Sequence, residues 1–130
     1  MSGQATTVRS RRGKILVVED DAESMKLLAT LLRAAGYEVT QANYPLQALF
    51  SVVRTPPDLI LTDIRMPVMD GLEMIRQLKG HSETRHIPIV IVTACETQQM
   101  REAGFAAGCA GYLRKPIDTR ALCEQVAEFL

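Results

Sequence analysis

The stretch Lys14-Ile15-Leu16-Val17-Val18-Glu19-Asp20-Asp21 decides the fold, because four uninterrupted aliphatic residues run straight into three acids. A strand with one wet face alternates apolar and polar residues; an unbroken apolar run reads as a strand buried on both faces, as in a helix-covered parallel sheet. Downstream, Met25, Leu28, Leu32 and Ala35 recur at helical spacing and stop at Gly36, a residue suited to the position just past a helix end. Tyr37-Glu38-Val39-Thr40 alternates as an edge strand does. Asn43 is placed to cap a second helix, whose predicted inner face is Leu46, Leu49, Phe50 and Val53 and whose end is Thr55-Pro56-Pro57.

The second half repeats the scheme. Leu59-Ile60-Leu61 reads as a buried strand, and Leu72, Ile75 and Leu78 mark a helix after Asp70-Gly71. Ile87 to Val92 is a further strand with Pro88 at its entrance, where a missing donor is tolerated. Thr97 to Ala107 reads as a weaker helix, since Gly104 inside it costs about 1 kcal/mol relative to alanine. Gly111 to Arg114 is a short last strand, and Leu122, Val126, Phe129 and Leu130 stripe a final helix begun at Asp118. Alternating strands and helices imply right-handed crossovers and a parallel sheet covered on both faces. The expected fold is α/β: a flavodoxin-like, doubly wound sheet of five parallel strands in the order 2-1-3-4-5, with five helices.

Composition bounds the rest. The 130 residues make one domain, 47% hydrophobic and 23% charged, with 15 basic and 15 acidic side chains. A net charge of +0 argues against a dedicated nucleic-acid binder. No apolar run approaches the roughly 20 residues of a membrane span, and no apolar segment follows the basic N-terminus as a secretory signal would require. Cys95, Cys109 and Cys123 are odd in number and far apart, which disfavours a disulfide framework or zinc site and suits a cytoplasmic setting. Residues 1–13 hold Arg9, Arg11 and Arg12 and no acid, which predicts a disordered basic tail. The domain proper, 14–130, carries 12 basic and 15 acidic groups, a net of −3.

In sheets of this kind ligands bind beyond the carboxyl ends of the strands. The first strand is followed by Glu19-Asp20-Asp21, the third ends in Asp63, the fourth in Thr93, and Lys115 lies just past the fifth. Clustered carboxylates repel unless a cation neutralises them. Hard oxygen ligands suit Mg²⁺, and a neighbouring lysine and hydroxyl suit a phosphoryl group. Asp63 is thus the candidate acceptor, because aspartyl phosphates form by carboxylate attack. Taken singly, an aspartate after a strand is commonly a turn or cap residue and a lysine a solvated charge; it is their joint placement on one rim that points to chemistry.

These residues resemble the receiver domain of two-component response regulators, of the single-domain, chemotaxis-regulator-like kind. The matching segments are Lys14 to Asp21, Leu61 to Gly71 (Leu-Thr-Asp-Ile-Arg-Met-Pro-Val-Met-Asp-Gly), Val92 to Ala94 (Val-Thr-Ala) and Gly111 to Pro116 (Gly-Tyr-Leu-Arg-Lys-Pro). The resemblance implies that Asp63 is phosphorylated from a histidine of a sensor histidine kinase or histidine phosphotransfer protein. It implies that Glu19, Asp20, Asp63 and the backbone carbonyl of Arg65 hold Mg²⁺, or Mn²⁺ in its place, and that Lys115 contacts the phosphoryl group. Thr93 would be the switch hydroxyl and Tyr112 the aromatic that turns inward with it, altering the face of the fourth helix, fifth strand and fifth helix. An unidentified downstream protein would read that face, which also offers a homodimer surface. A cis peptide is expected before Pro116.

Some positions vary from the commonest pattern. The acidic pair is Glu-Asp rather than Asp-Asp, and Asp21 competes as a helix cap. Arg65 and Cys95 stand at the mouth of the site, and His81 and His86 read as solvated loop residues. The same residues disfavour other classes. An aspartyl-nucleophile phosphatase wants a second acid two residues after the first, where Arg65 stands; a flavodoxin-like cofactor binder wants a glycine-rich phosphate loop after the first strand, which is missing. A phosphorylation-independent scaffold usually lacks part of the acid, hydroxyl and lysine set that is complete here. The chain to Leu130 fits either a stand-alone regulator or a receiver from a longer protein, a signalling module rather than a metabolic enzyme.

Overall fold

A computed structural model describes residues 13–64, 71–94 and 97–130. The basic tail up to Arg12, Arg65 with its carbonyl, Asp70, Cys95 and Glu96 lie outside the described residues. Five parallel strands form one sheet in the order β2-β1-β3-β4-β5, as the apolar runs imply: β1 (Lys14–Val18), β2 (Glu38–Ala42), β3 (Leu59–Thr62), β4 (Ile89–Thr93) and β5 (Gly111–Arg114). Between and after them, the described helices are α1 (Ala22–Ala34), α2 (Pro45–Arg54), α3 (Gly71–Lys79), α4 (Gln98–Ala107) and α5 (Leu122–Ala127).

Side chains alternate across each strand, so every central strand feeds two cores. Ile15, Val17, Leu59, Leu61, Val90 and Val92 pack with Met25, Leu28 and Leu32 of α1 and with Leu122 and Val126 of α5. Leu16, Val18, Ile60, Ile89 and Ile91 pack on the other side with α2, α3 and α4, through Ala48, Val52, Ile75, Leu78 and Ala107. That double coverage is why the strands carry no polar alternation. The two edge strands, β2 and β5, are the ones that also carry exposed or half-exposed side chains beyond the strand's first residue.

Helix ends follow their chemistry. Asp21 caps α1, its carboxylate accepting from Ser24 N–H at 2.9 Å, which also holds its pKa below the ordinary range. Gly36, at φ 101°, takes the left-handed turn past that helix. The second helix departs from expectation in two respects. Asn43 is not its cap: Tyr44 occupies the cap position without a side-chain bond, and the Asn43 N–H donates to Gln47 Oε1 at 2.7 Å. Its buried face is Pro45, Ala48 and Val52, with Leu49 half-buried, so the predicted inner residues Leu46, Phe50 and Val53 face outward. The final helix begins at Leu122 rather than Asp118. Asp118 instead closes the preceding turn by accepting from Arg120 N–H and Ala121 N–H, and Leu130 is exposed.

Candidate functional site at the carboxyl ends of the strands

Backbone pairing carries the three acidic positions to one rim. β1 lies between β2 and β3, and the ladder continues one residue past each strand end: Glu19 N–H donates to Ala42 O, and Asp63 N–H to Val18 O, each at 3.0 Å. Asp63 is held further by its own loop. The Thr62 hydroxyl donates to the Asp63 carbonyl at 2.8 Å, and Gly71 N–H donates to Ile64 O at 3.1 Å. The start of α3 approaches so closely that a Cβ on Gly71 would stand 2.6 Å from the Asp63 carbonyl oxygen and 2.7 Å from Ile64 Cα. Glycine there permits this close contact with the Asp63–Ile64 backbone.

Lys115 crosses the rim. Its Nζ lies 2.7 Å from Glu19 Oε1 and 3.2 Å from Asp63 Oδ2, tying the end of β5 to the ends of β1 and β3. Lys115 N–H also donates to Thr93 O at 2.9 Å, which fixes the lysine against the end of β4. Glu19 is 1% exposed, and its second oxygen accepts from Asp21 N–H at 3.1 Å. Burial pushes its carboxyl above the ordinary range, against the opposing pull of Lys115 and the Asp21 N–H. Burial likewise pulls Lys115 down, but the bond to Glu19 and the charges of Asp63 and Glu19 more than offset it, so its ammonium sits above its usual range.

Asp20 is exposed, and carboxylate oxygens of Glu19, Asp20 and Asp63 lie within 4.8 Å of one another. Among the described residues this is the one group of three or more His, Cys, Asp or Glu side chains close enough to share a cation. All donors are hard oxygens, the set that a small divalent ion such as Mg²⁺ prefers. The residues therefore fit the metal that the sequence suggests. Thr93 is buried at the adjoining strand end.

Tyr112, one strand over, packs half-buried against α4. Its hydroxyl donates to Met100 O at 2.7 Å and approaches Arg101 O at 3.3 Å, while its ring lies 5.5 Å from that of Phe105 and under the Arg101 guanidinium. A Cβ on Gly104 would overlap the Tyr112 hydroxyl. Gly104, read from the sequence as a flaw in the helix, is the seat of this aromatic. No local signal betrays such a pairing, because the two residues meet only in the tertiary structure. His81 and His86 are exposed, as expected, and the Lys115–Pro116 peptide is cis. Cys109 is buried, which pushes its thiol pKa up.

Comparison with known proteins agrees with this geometry. The family model described as "Response regulator receiver domain" matches residues 15–127. The polar-differentiation response regulator DivK of Brucella ovis is 38% identical over 116 residues, covering 89% of this chain and 94% of that protein. Among solved structures, the chemotaxis protein CheY4 of Vibrio cholerae superposes with a TM-score of 0.86 at 30% identity, over 90% of this chain and 98% of the other. The receiver domain of a sensor histidine kinase from Pseudomonas aeruginosa PAO1 has a TM-score of 0.83 at 34% identity, over 90% and 96% of the two chains. That structure holds a magnesium ion coordinated in its active-site cleft.

Proposed function

The chain belongs to the response regulator receiver family, and from that premise we propose that Asp63 accepts a phosphoryl group from a phosphohistidine of a sensor histidine kinase or histidine phosphotransfer protein. The observation that carries the reading is the Lys115 ammonium bridging Glu19 and Asp63, with Asp20 alongside. An Asp63 carboxylate oxygen attacks phosphorus. The new P–O bond forms as the P–N bond to the imidazole breaks, and the imidazole leaves with the electron pair. Glu19, Asp20 and Asp63, joined by the Arg65 carbonyl, would hold Mg²⁺ (or Mn²⁺), which when bound neutralises charge on the carboxylate and the incoming phosphoryl oxygens.

Lys115 exchanges its contact with Asp63 for one with a phosphoryl oxygen, keeping Glu19 as its second partner. The Thr93 hydroxyl donates to another phosphoryl oxygen, and Tyr112 responds on the neighbouring strand. A phosphoryl group adds charge and three acceptors, so the rim that now balances one ammonium against carboxylates must rearrange. The α4–β5–α5 face changes with it, and a downstream protein reads the difference. The reading places the chain in the cytoplasm, where phosphohistidine donors are made, and needs neither nucleic acid nor membrane. Among the described residues no helix is long and apolar enough to cross a membrane.

Intact mass after incubation with Mg²⁺ and a small phosphoryl donor tests this. One added phosphoryl group that requires Mg²⁺ and is missing in Asp63→Asn is the expected result. No adduct, with a phosphohistidine donor also tried, would overturn it in favour of a phosphorylation-independent scaffold.

A further inference from the structure

Four of the seven large apolar side chains exposed among the described residues lie between positions 44 and 53. Tyr44 and Leu46 are each 50% exposed, Phe50 69% and Val53 79%. Positions 46, 50 and 53 follow the i, i+4, i+7 spacing that places side chains on one helical face, so they form a stripe along α2. At its C-terminal end the stripe runs into a groove of about 420 Å³ between α2 and α3, where Val53 is joined by Leu49, Pro56 and Leu78. By contrast the α4–β5–α5 face exposes Phe105 alone of this class, and Phe105 already packs on Tyr112.

We propose that this outer face of α2 is a self-association surface, and that its occupant is the same face of a second copy of the chain. Charge permits this partner. Arg54, at the C-terminal end, is the one charged residue of α2, and antiparallel pairing sets the two copies' Arg54 at opposite ends of the contact, so little like-charge repulsion opposes self-association. Geometry fits a two-fold axis. The stripe is centred near Phe50, so antiparallel pairing sets Phe50 beside the partner's Phe50 and Leu46 against the partner's Val53, an isologous contact. The same arrangement lays two helix dipoles side by side in opposite directions.

Size sets the strength. The three exposures on the stripe amount to roughly 350 Å² per copy, so pairing removes about 700 Å² from water before the groove walls add to it, the scale of a weak, transient interface. The dimer is therefore weak and concentration-dependent. It does not depend on Asp63 chemistry, so it stands or falls separately from the proposed phosphotransfer.

Sedimentation velocity of the full chain, from about 10 µM to about 1 mM, reads it directly. The expected result is a monomer that shifts to dimer with concentration. Phe50→Glu should remove the shift while leaving the circular dichroism spectrum and melting temperature in place, and Phe105→Glu, on the other face, should keep it. A chain that stays monomeric throughout overturns the proposal. So does a dimer that survives Phe50→Glu, because it must then use another surface.

Discussion

Lys115 is the residue on which the rim depends, since Glu19 at 1% exposure has the lysine ammonium as its neutralising partner at 2.7 Å. Removing one member of such a pair leaves a buried carboxylate uncompensated. We expect Lys115→Met to lose about 1–3 kcal/mol of stability in chelator, measured by urea unfolding, with part of the loss restored by Mg²⁺ as a substitute cation. Equal losses with and without Mg²⁺ would mean that no cation enters among these acids. Gly104 gives a sign test of a different kind. Helix propensity alone makes Gly104→Ala stabilising by about 1 kcal/mol, but a Cβ there overlaps the Tyr112 hydroxyl. Overpacking of this sort costs about 1–3 kcal/mol, so the unfolding midpoint should fall; a rise would show that Tyr112 gives way freely. The acids and the hydroxyl were legible in the sequence because each ends or follows an apolar run at a strand end, and Lys115 because it comes just past the short last strand. The seat of Tyr112 was not, because it pairs positions on two elements with no local trace.

At the scale of elements, the strands were readable and one helix was not. β1, β3 and β4 announce themselves through unbroken aliphatic runs, a pattern that burial on both faces imposes. In α2 the apolar residues cover well over the arc that a core-facing helix needs, from Pro45, Ala48 and Val52 around through Leu49 to Leu46, Phe50 and Val53. Periodicity then shows that a helix forms but not which side turns inward. The largest side chains suggest one side, and the structure buries the smaller ones, because Ala48 and Val52 let the helix lie close to the sheet. The neighbouring valines distinguish the two faces in one experiment. Val52, 1% exposed, should lose about 1–3 kcal/mol on replacement by alanine, whereas Val53→Ala should stay within about 0.5 kcal/mol at dilutions where the chain is monomeric. Urea unfolding of both variants decides it, and comparable losses would refute the assigned orientation.

Across the whole molecule, the doubly wound topology places the candidate site on one rim, which followed from strand–helix alternation and the rule that ligands bind beyond strand carboxyl ends; a readout on the adjoining face is what the family resemblance implies. The link between rim and face required the structure. Thr93 ends β4 and Tyr112 lies on β5, where Ile91 pairs with Tyr112 and Thr93 with Arg114, so the two are close neighbours across one ladder. From β5 the Tyr112 hydroxyl reaches the carbonyls of Met100 and Arg101 in the first turns of α4. A ligand shifts a conformational equilibrium only by as much as it favours one state, and in the proposed mechanism the differential contact would be the Thr93 hydroxyl donating to a phosphoryl oxygen. If Thr93 moves and Tyr112 follows, the tie to Met100 and Arg101 breaks, and α4, which already carries a glycine in its interior, opens more readily. Hydrogen exchange across residues 97–107 should therefore quicken when a phosphoryl analogue and Mg²⁺ are added. Tyr112→Phe, which lacks the donor, should quicken the same segment without the analogue and blunt its further response. Identical protection in all four conditions would sever the face from the rim and leave Tyr112 a fixed core aromatic.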